Sequence, residues 1–234
     1  MSPSRASALS KQLEHAIITG RWSAGEKLPA QPKLMQEFGV SRTCLREAIS
    51  LLQSRGLLTI KHGSGCYVEN LFEPQFAERL LALPASDPNS QQMVMEMREV
   101  LEGQAVWYAC QRASDHELES IDKEFKRMQD RVGKLPVLQR AKADLTYHML
   151  IARYSHNVIV ASLSQLLYSR SFNTIYAALS SGMLDAAEDI ATIDGQHEDL
   201  HQSLMQRDGR TALQAAQVHA RHTSGLLREA IAGS

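Results

Sequence analysis

Apolar residues recur along this chain at two different periods, and the change from one to the other divides it. From residue 6 to 20, Leu9, Leu13, Ala16 and Ile17 fall at helical spacing, and Gly20 ends the pattern. The stretch "AGEKLPAQ" reads as a turn. A short helix is predicted over residues 31–38, stopped by Gly39. Ser41 then caps a longer helix reaching about residue 55, with Leu45, Ala48, Ile49, Leu51 and Leu52 inward and Gly56 at its end. In "LLTIKHGSGCYVEN" two β-prone runs, 57–61 and 66–69, flank a glycine-containing tip, which predicts a β-hairpin.

After the hairpin no strand signal returns. Residues 71–90 predict a short helix and then a Pro/Ser/Asp loop, the natural linker region. Helical periodicity then runs on, with helices predicted near 91–112, 115–132, 137–155, 157–180, 187–207 and 209–231. The expected fold is mainly α: a small α/β head over residues 1–70 and an all-helical bundle over 91–234.

Composition adds one asymmetry. The 234 residues are 44% hydrophobic and 22% charged, with a net charge of -1, ordinary for a soluble protein. Residues 1–70, however, hold 9 Lys/Arg against 5 Asp/Glu, and the remainder holds 16 against 21. A basic head on an acidic body fits an anion-binding module joined to something else. The three cysteines show no paired spacing, the first residues lack the apolar core of a signal peptide, and no apolar run approaches a membrane span. A cytoplasmic location is expected.

The head has the order of a winged helix-turn-helix. Gly39-Val40-Ser41 makes a tight turn, and the helix after it carries Ser41, Arg42, Thr43 and Arg46 in its first turns. Those positions meet base edges and phosphates when such a helix enters a major groove. At the hairpin tip, Lys61, His62 and Gly63 allow close approach to a minor groove or a phosphate. A solvated basic face would explain Arg42 and Arg46 alone, but not the ordered set.

In the body, polar groups interrupt apolar stripes. At about 100° per residue, Asp144 and His148 share the face of Ala141 and Ile151. His197 falls between Ile193, Leu200 and Leu204, and His219 among Ala212, Ala215, Ala216 and Leu226. A single inward histidine is ordinarily a satisfied core residue. One carboxylate and three imidazoles from three helices make a first-row metal site, with zinc foremost and nickel, cobalt, manganese or iron as alternatives. His201 and His222 lie toward the stripe edges and are left outside the ligand set. On helix 91–112, Arg98 and Glu102 also face inward, either neutralising each other or leaving Arg98 to grip an anionic ligand. Ser171, Asn173 and Tyr176 on helix 157–180 are candidates for further polar contacts.

Through "GEKLP", "FGVSRTCLREAI" and "GLL…HGSG…V", residues 7–69 resemble the winged-helix domain of the GntR family of bacterial transcription regulators. That family commonly has an acidic residue and a DNA-contacting arginine after "LP". Here Gln31-Pro32-Lys33 stands in that place, leaving Lys33 as the nearby base. Through "MEMREVLEGQAVWYAC", "ADLTYHMLIARYSHN", "QHEDLHQSLMQRD" and "AAQVHARHTSGLL", the body is similar to the FCD ligand-binding domain of the FadR subfamily. The resemblance implies metal ligands at Asp144, His148, His197 and His219, and an effector-binding arginine at Arg98. It further implies a homodimer on operator DNA, closest in look to regulators responding to lactate, pyruvate or glycolate. The expected function is therefore a DNA-binding regulator controlled by a small 2-hydroxy or 2-oxo acid at a metal site, with Glu102, Asn173 and Tyr176 beside Arg98. The alternatives are a regulator that senses metal or uses it structurally and, more remotely, a metalloenzyme. The direction of control, repression or activation, is left open by the sequence.

Overall fold

Helices account for most of the computed structural model, which describes residues 4–22, 24–70, 87–129, 137–180 and 187–232. The chain divides into two units, Met1–Glu73 and Pro74–Ser234.

In the first unit, α1 (Arg5–Ile18) starts at Ser4, whose hydroxyl accepts a hydrogen bond from the Ser7 amide at 3.1 Å. It turns Leu9, Leu13 and Ile17 into the core. α2 (Gln31–Phe38) ends on Gly39, which adopts φ 61 and so needs the left-handed freedom of glycine. α3 (Arg42–Ser54) begins at Ser41, whose Oγ accepts from the Cys44 amide at 3.3 Å. Leu45, Ala48, Ile49 and Leu52 are buried beneath it. Leu51, expected inward, is exposed; it lies about 120° around the helix from Leu45, off the buried stripe.

Strands β1 (Leu58–Lys61) and β2 (Gly65–Val68) pair antiparallel, Leu58 opposite Val68 and Lys61 opposite Gly65. The predicted "AGEKLPAQ" turn does more than reverse the chain. Gly25 and Leu28 amides donate to Val68 and Cys66 carbonyls at 2.8 Å, and Val68 donates to Glu26 at 2.9 Å. Residues 25–28 thus satisfy the outer edge of β2, whose backbone groups would otherwise stand unpaired.

The second unit holds α4 (Pro88–Arg112), α5 (Asp115–Gln129), α6 (Val137–Tyr154), α7 (Val158–Ser180), α8 (Ala187–Met205) and α9 (Gly209–Ala232). α4 starts three residues earlier than expected because Asp87 caps it, accepting from the Ser90 amide at 2.9 Å, with Pro88 in the first turn. α8 stops as Arg207 takes φ 56, and Asp208 then caps α9 through the Thr211 amide at 3.1 Å. The expected helix and loop over 71–86, and the predicted end of α5 beyond residue 129, lie outside the described residues.

α9 runs along α4, and α4 also meets α6 and α7. The buried Ala109, Ala212 and Ala216 allow the close approach of α4 and α9. At Gly103 an added Cβ would stand 3.2 Å from the Gln217 side chain. Large apolar groups fill the other side: Ile121, Tyr147, Ile151, Leu200 and Leu204. Small residues on one seam and large ones on the other bring α4, α6, α8 and α9 around a common point.

Candidate metal centre and nucleic-acid interface

Four side chains meet at that point. Asp144 and His148 come from successive turns of α6, His197 from α8 and His219 from α9, with one potential ligand atom of each lying within 4.8 Å of the others. His197 Nε2 is 3.0 Å from Asp144 Oδ1 and 3.1 Å from His148 Nε2, and His148 Nε2 is 3.7 Å from Asp144 Oδ1. Donors about 2.1 Å from a tetrahedral metal stand ~3.4 Å apart, so this spacing suits a first-row ion. Among the described residues His219 Nδ1 is buried without a hydrogen-bond partner, as befits a nitrogen whose lone pair has another use. The residues therefore fit the metal that the sequence implies.

Electrostatics favour the forms that bind metal. Burial opposes ionisation of Asp144, but the His197 hydrogen bond and the neighbouring imidazoles outweigh it and hold the carboxyl far below the usual range. Burial pulls His148 down, more than Glu102 and Asp144 lift it. Burial and the adjacent imidazoles place His219 well below an ordinary histidine. An ionised carboxylate thus faces His148 and His219, both of which resist protonation. Asp144 keeps 29% of its side chain exposed, so the cluster is not sealed from solvent.

A second polar layer lies on α4. Arg98 and Glu102 are each 3% exposed, and Glu102 Oε1 accepts from Arg98 Nη2 at 2.7 Å and from Nε at 2.8 Å. Arg98 also lies 5.3 Å over the Tyr168 ring. A cavity of about 10 Å³ is lined by Glu102, His148, Tyr168, Leu200 and other groups, room for about one water. The inward direction of Arg98 and Glu102 matches the stripe, and their mutual pairing is the arrangement that neutralises Arg98 without a ligand.

Sequence periodicity missed Tyr168, which is buried on α7 in the same inward stripe as Ala161, Ser164 and Leu167. Its hydroxyl-bearing ring on that stripe was the available signal. His201, expected at an edge, is buried: its ring stacks on Phe125 at 3.8 Å, and Nε2 meets Asp122 Oδ1 at 3.2 Å. His222 receives or donates a 2.8 Å hydrogen bond with Gln196. Neither enters the donor cluster. Asn173 and Tyr176 sit on α7, as does Ser171, but their side chains lie outside those described.

In the head, the DNA candidates point to solvent. Lys33, Ser41, Arg42, Thr43 and Arg46 are exposed on α2 and the start of α3, and Lys61, His62 and Gly63 are exposed at the hairpin tip. Ser41 also caps α3, so its oxygen is partly committed while its hydroxyl proton remains available. Lys61 Nζ lies 4.7 Å from the Tyr67 ring centroid, and Ser64 shares a 2.6 Å hydrogen bond with the Tyr67 hydroxyl. These contacts stiffen the tip. Gly63 takes φ 71 there, which a side chain would strain.

Known proteins share both units. The family described as "Bacterial regulatory proteins, gntR family" matches residues 5–68, and the "FCD domain" matches residues 93–222. The chain is 25% identical over 216 residues to the Glc operon transcriptional activator of Escherichia coli strain K12, covering 91% of this chain and 85% of that protein. It is 33% identical over 141 residues to a protein of the same organism provisionally described as an L-lactate dehydrogenase operon regulatory protein, covering 58% of this chain and 53% of that one. A GntR-family transcriptional regulator from Pseudomonas syringae pv. tomato DC3000 shares the fold, with a TM-score of 0.50 at 20% identity over 97% of this chain and 87% of that one. With an exposed helix-turn-helix in the first unit, a His/Asp cluster in the helical second unit, and a family match over each, the chain belongs to the gntR family of bacterial regulatory proteins, in the FadR-type group that joins a winged helix-turn-helix to an FCD domain.

Proposed function

We propose that this DNA-binding regulator is metal-dependent and that a small 2-hydroxy or 2-oxo acid sets its affinity for operator DNA. The observation that carries the reading is the convergence of Asp144, His148, His197 and His219 on one point, one buried carboxylate away from Arg98. A divalent ion held there, zinc foremost, supplies a Lewis-acid anchor that a carboxylate and its neighbouring oxygen can chelate. Arg98 takes the acid's carboxylate through its planar fork. Glu102 holds that fork at present, so entry exchanges one carboxylate for another. Asn173 and Tyr176 of α7 add polar contacts.

The cavity beside His148 holds about 10 Å³, several times too little for a three-carbon acid, so binding requires the helices to part. That movement is what transmits the signal, since an effector shifts an equilibrium only through states it binds unequally. In the head, residues 1–70, Ser41, Arg42, Thr43 and Arg46 read the major groove with Lys33 beside them. Lys61, His62 and Gly63 contact the flanking backbone or minor groove. Two copies on a pseudo-palindromic site supply the specificity that one head lacks. Residues 71–90 connect the head to the body over 91–234.

The test is thermal unfolding of the full chain with lactate, pyruvate or glycolate, each with zinc and with chelator. Stabilisation that needs both acid and metal, and that Arg98→Ala abolishes, is the expected result. The mutual pairing of Arg98 and Glu102 favours a second reading, a regulator that responds to metal alone. Stabilisation by zinc with no added effect of any acid would select it. The family and the relatives are transcription regulators, which leaves no observation in favour of the enzyme alternative.

A further inference from the structure

Metal binding to this cluster fixes where protons sit on the imidazoles, and one buried oxygen of α4 is placed to receive one of them. His148 and His197 present Nε2 to the common point, 3.1 Å apart. When both Nε2 lone pairs are engaged, the single proton of a neutral His148 must sit on Nδ1. That atom faces Glu102 Oε2 at 3.7 Å. Among the described residues Glu102 Oε2 is buried and meets no well-aligned donor, while Oε1 is occupied by Arg98 and the Tyr168 hydroxyl lies beside the same carboxylate. A buried carboxylate oxygen without a donor is costly, and the His148 Nδ1–H is the donor that would satisfy it after closing by roughly 1 Å to an ordinary hydrogen-bond length.

We propose that Glu102 is a positioning residue of the metal centre, accepting the His148 Nδ1 proton with one oxygen while Arg98 holds the other. The proposal rests on the metal reading above and gives Glu102 a role distinct from ligand contact. It also explains why a carboxylate is tolerated so deep in the bundle. Arg98 balances its charge and fixes its plane, so Oε2 is aimed at the imidazole. No ligand atom beyond the four donors is required. Arg98, Glu102 and His148 then form one continuous chain from the anion-binding arginine to the metal, in which each link holds the next in orientation.

The experiment uses the full chain, zinc as the only probe, and competition with a chromophoric chelator, for wild type, Glu102→Gln and the double variant Arg98→Leu/Glu102→Leu. The double variant removes the ion pair as a unit, which keeps a folded comparison available if the single change fails to fold. Histidine-labelled nitrogen NMR of the zinc-loaded proteins reports whether the His148 Nδ1 proton is hydrogen-bonded. The expected result is zinc affinity about 10- to 100-fold weaker in both variants, with a slowly exchanging His148 Nδ1 proton in wild type that is lost in the variants. Zinc affinity within twofold of wild type, with the ring proton unchanged, would overturn the proposal and leave Glu102 as Arg98's partner only. Failure of wild type itself to take up zinc would overturn the metal reading and the proposal together.

Discussion

Arg46 and Arg98 are the same residue type on helices of the same protein, and the two units use them in opposite ways. Arg46 stands exposed on α3, and the core beneath that helix is made by Leu45, Ala48, Ile49 and Leu52. Arg98 lies under the surface of α4 at 3% exposure, with Glu102 on its fork. In the head, the candidate functional residues are ones the core leaves out; in the body, they are ones the core takes in. An exposed arginine contributes little to folding and is available to DNA, whereas a buried one is tied to the stability of its surroundings.

The largest break in that comparison is expected from Arg98→Ala. It leaves Glu102 buried without its cationic partner and should cost about 3–5 kcal/mol of stability, measured by urea unfolding of the full chain. A loss below about 1 kcal/mol would mean that water reaches the pair and that the body is looser than its packing suggests. Arg46→Ala should do the reverse. Stability should stay within about 0.5 kcal/mol, while DNA affinity falls by about 1–3 kcal/mol if the guanidinium reads a base. If it meets a phosphate instead, affinity should fall evenly across sequences, with a salt dependence reduced by about one ion. Binding by fluorescence anisotropy at several salt concentrations separates these outcomes, and unchanged affinity would remove Arg46 from the interface.

A smaller effect concerns His201. Burial lowers its pKa despite the hydrogen bond to Asp122, so the unfolded chain takes up its proton first as pH falls. Its contribution to stability is complete above the unfolded value of about 6.5 and is lost as pH drops from there through the folded value. His201→Phe should therefore flatten the stability curve below about pH 6.5. An unchanged slope would show that His201 titrates alike in both states.

The contrast also explains what the sequence could tell. The helices, the hairpin and the inward turn of His148, His197 and His219 were legible because each is a local period, and four inward polar groups on three helices leave few arrangements. Pairing of residues 25–28 with β2 was not legible, because those residues show no alternation and the bonds come from the partner's open edge. His201 sits near the edge of its own stripe and is buried because Phe125 of α5 and Tyr147 of α6 pack against it. Likewise, periodicity turns Arg98 and Glu102 inward but cannot give the size of the cavity beside them. That depends on how closely α4 and α9 approach over Ala109, Ala212 and Ala216.

The body's claim to be a metal centre is tested most directly by elemental analysis of protein purified without a metal-affinity column, comparing wild type with His148→Ala and His197→Ala. About one divalent ion per chain in wild type, absent from both folded variants, is the predicted result. A folded wild type with no bound metal, and none taken up on dialysis against zinc, would contradict the account and leave the four residues as a buried hydrogen-bonded cluster.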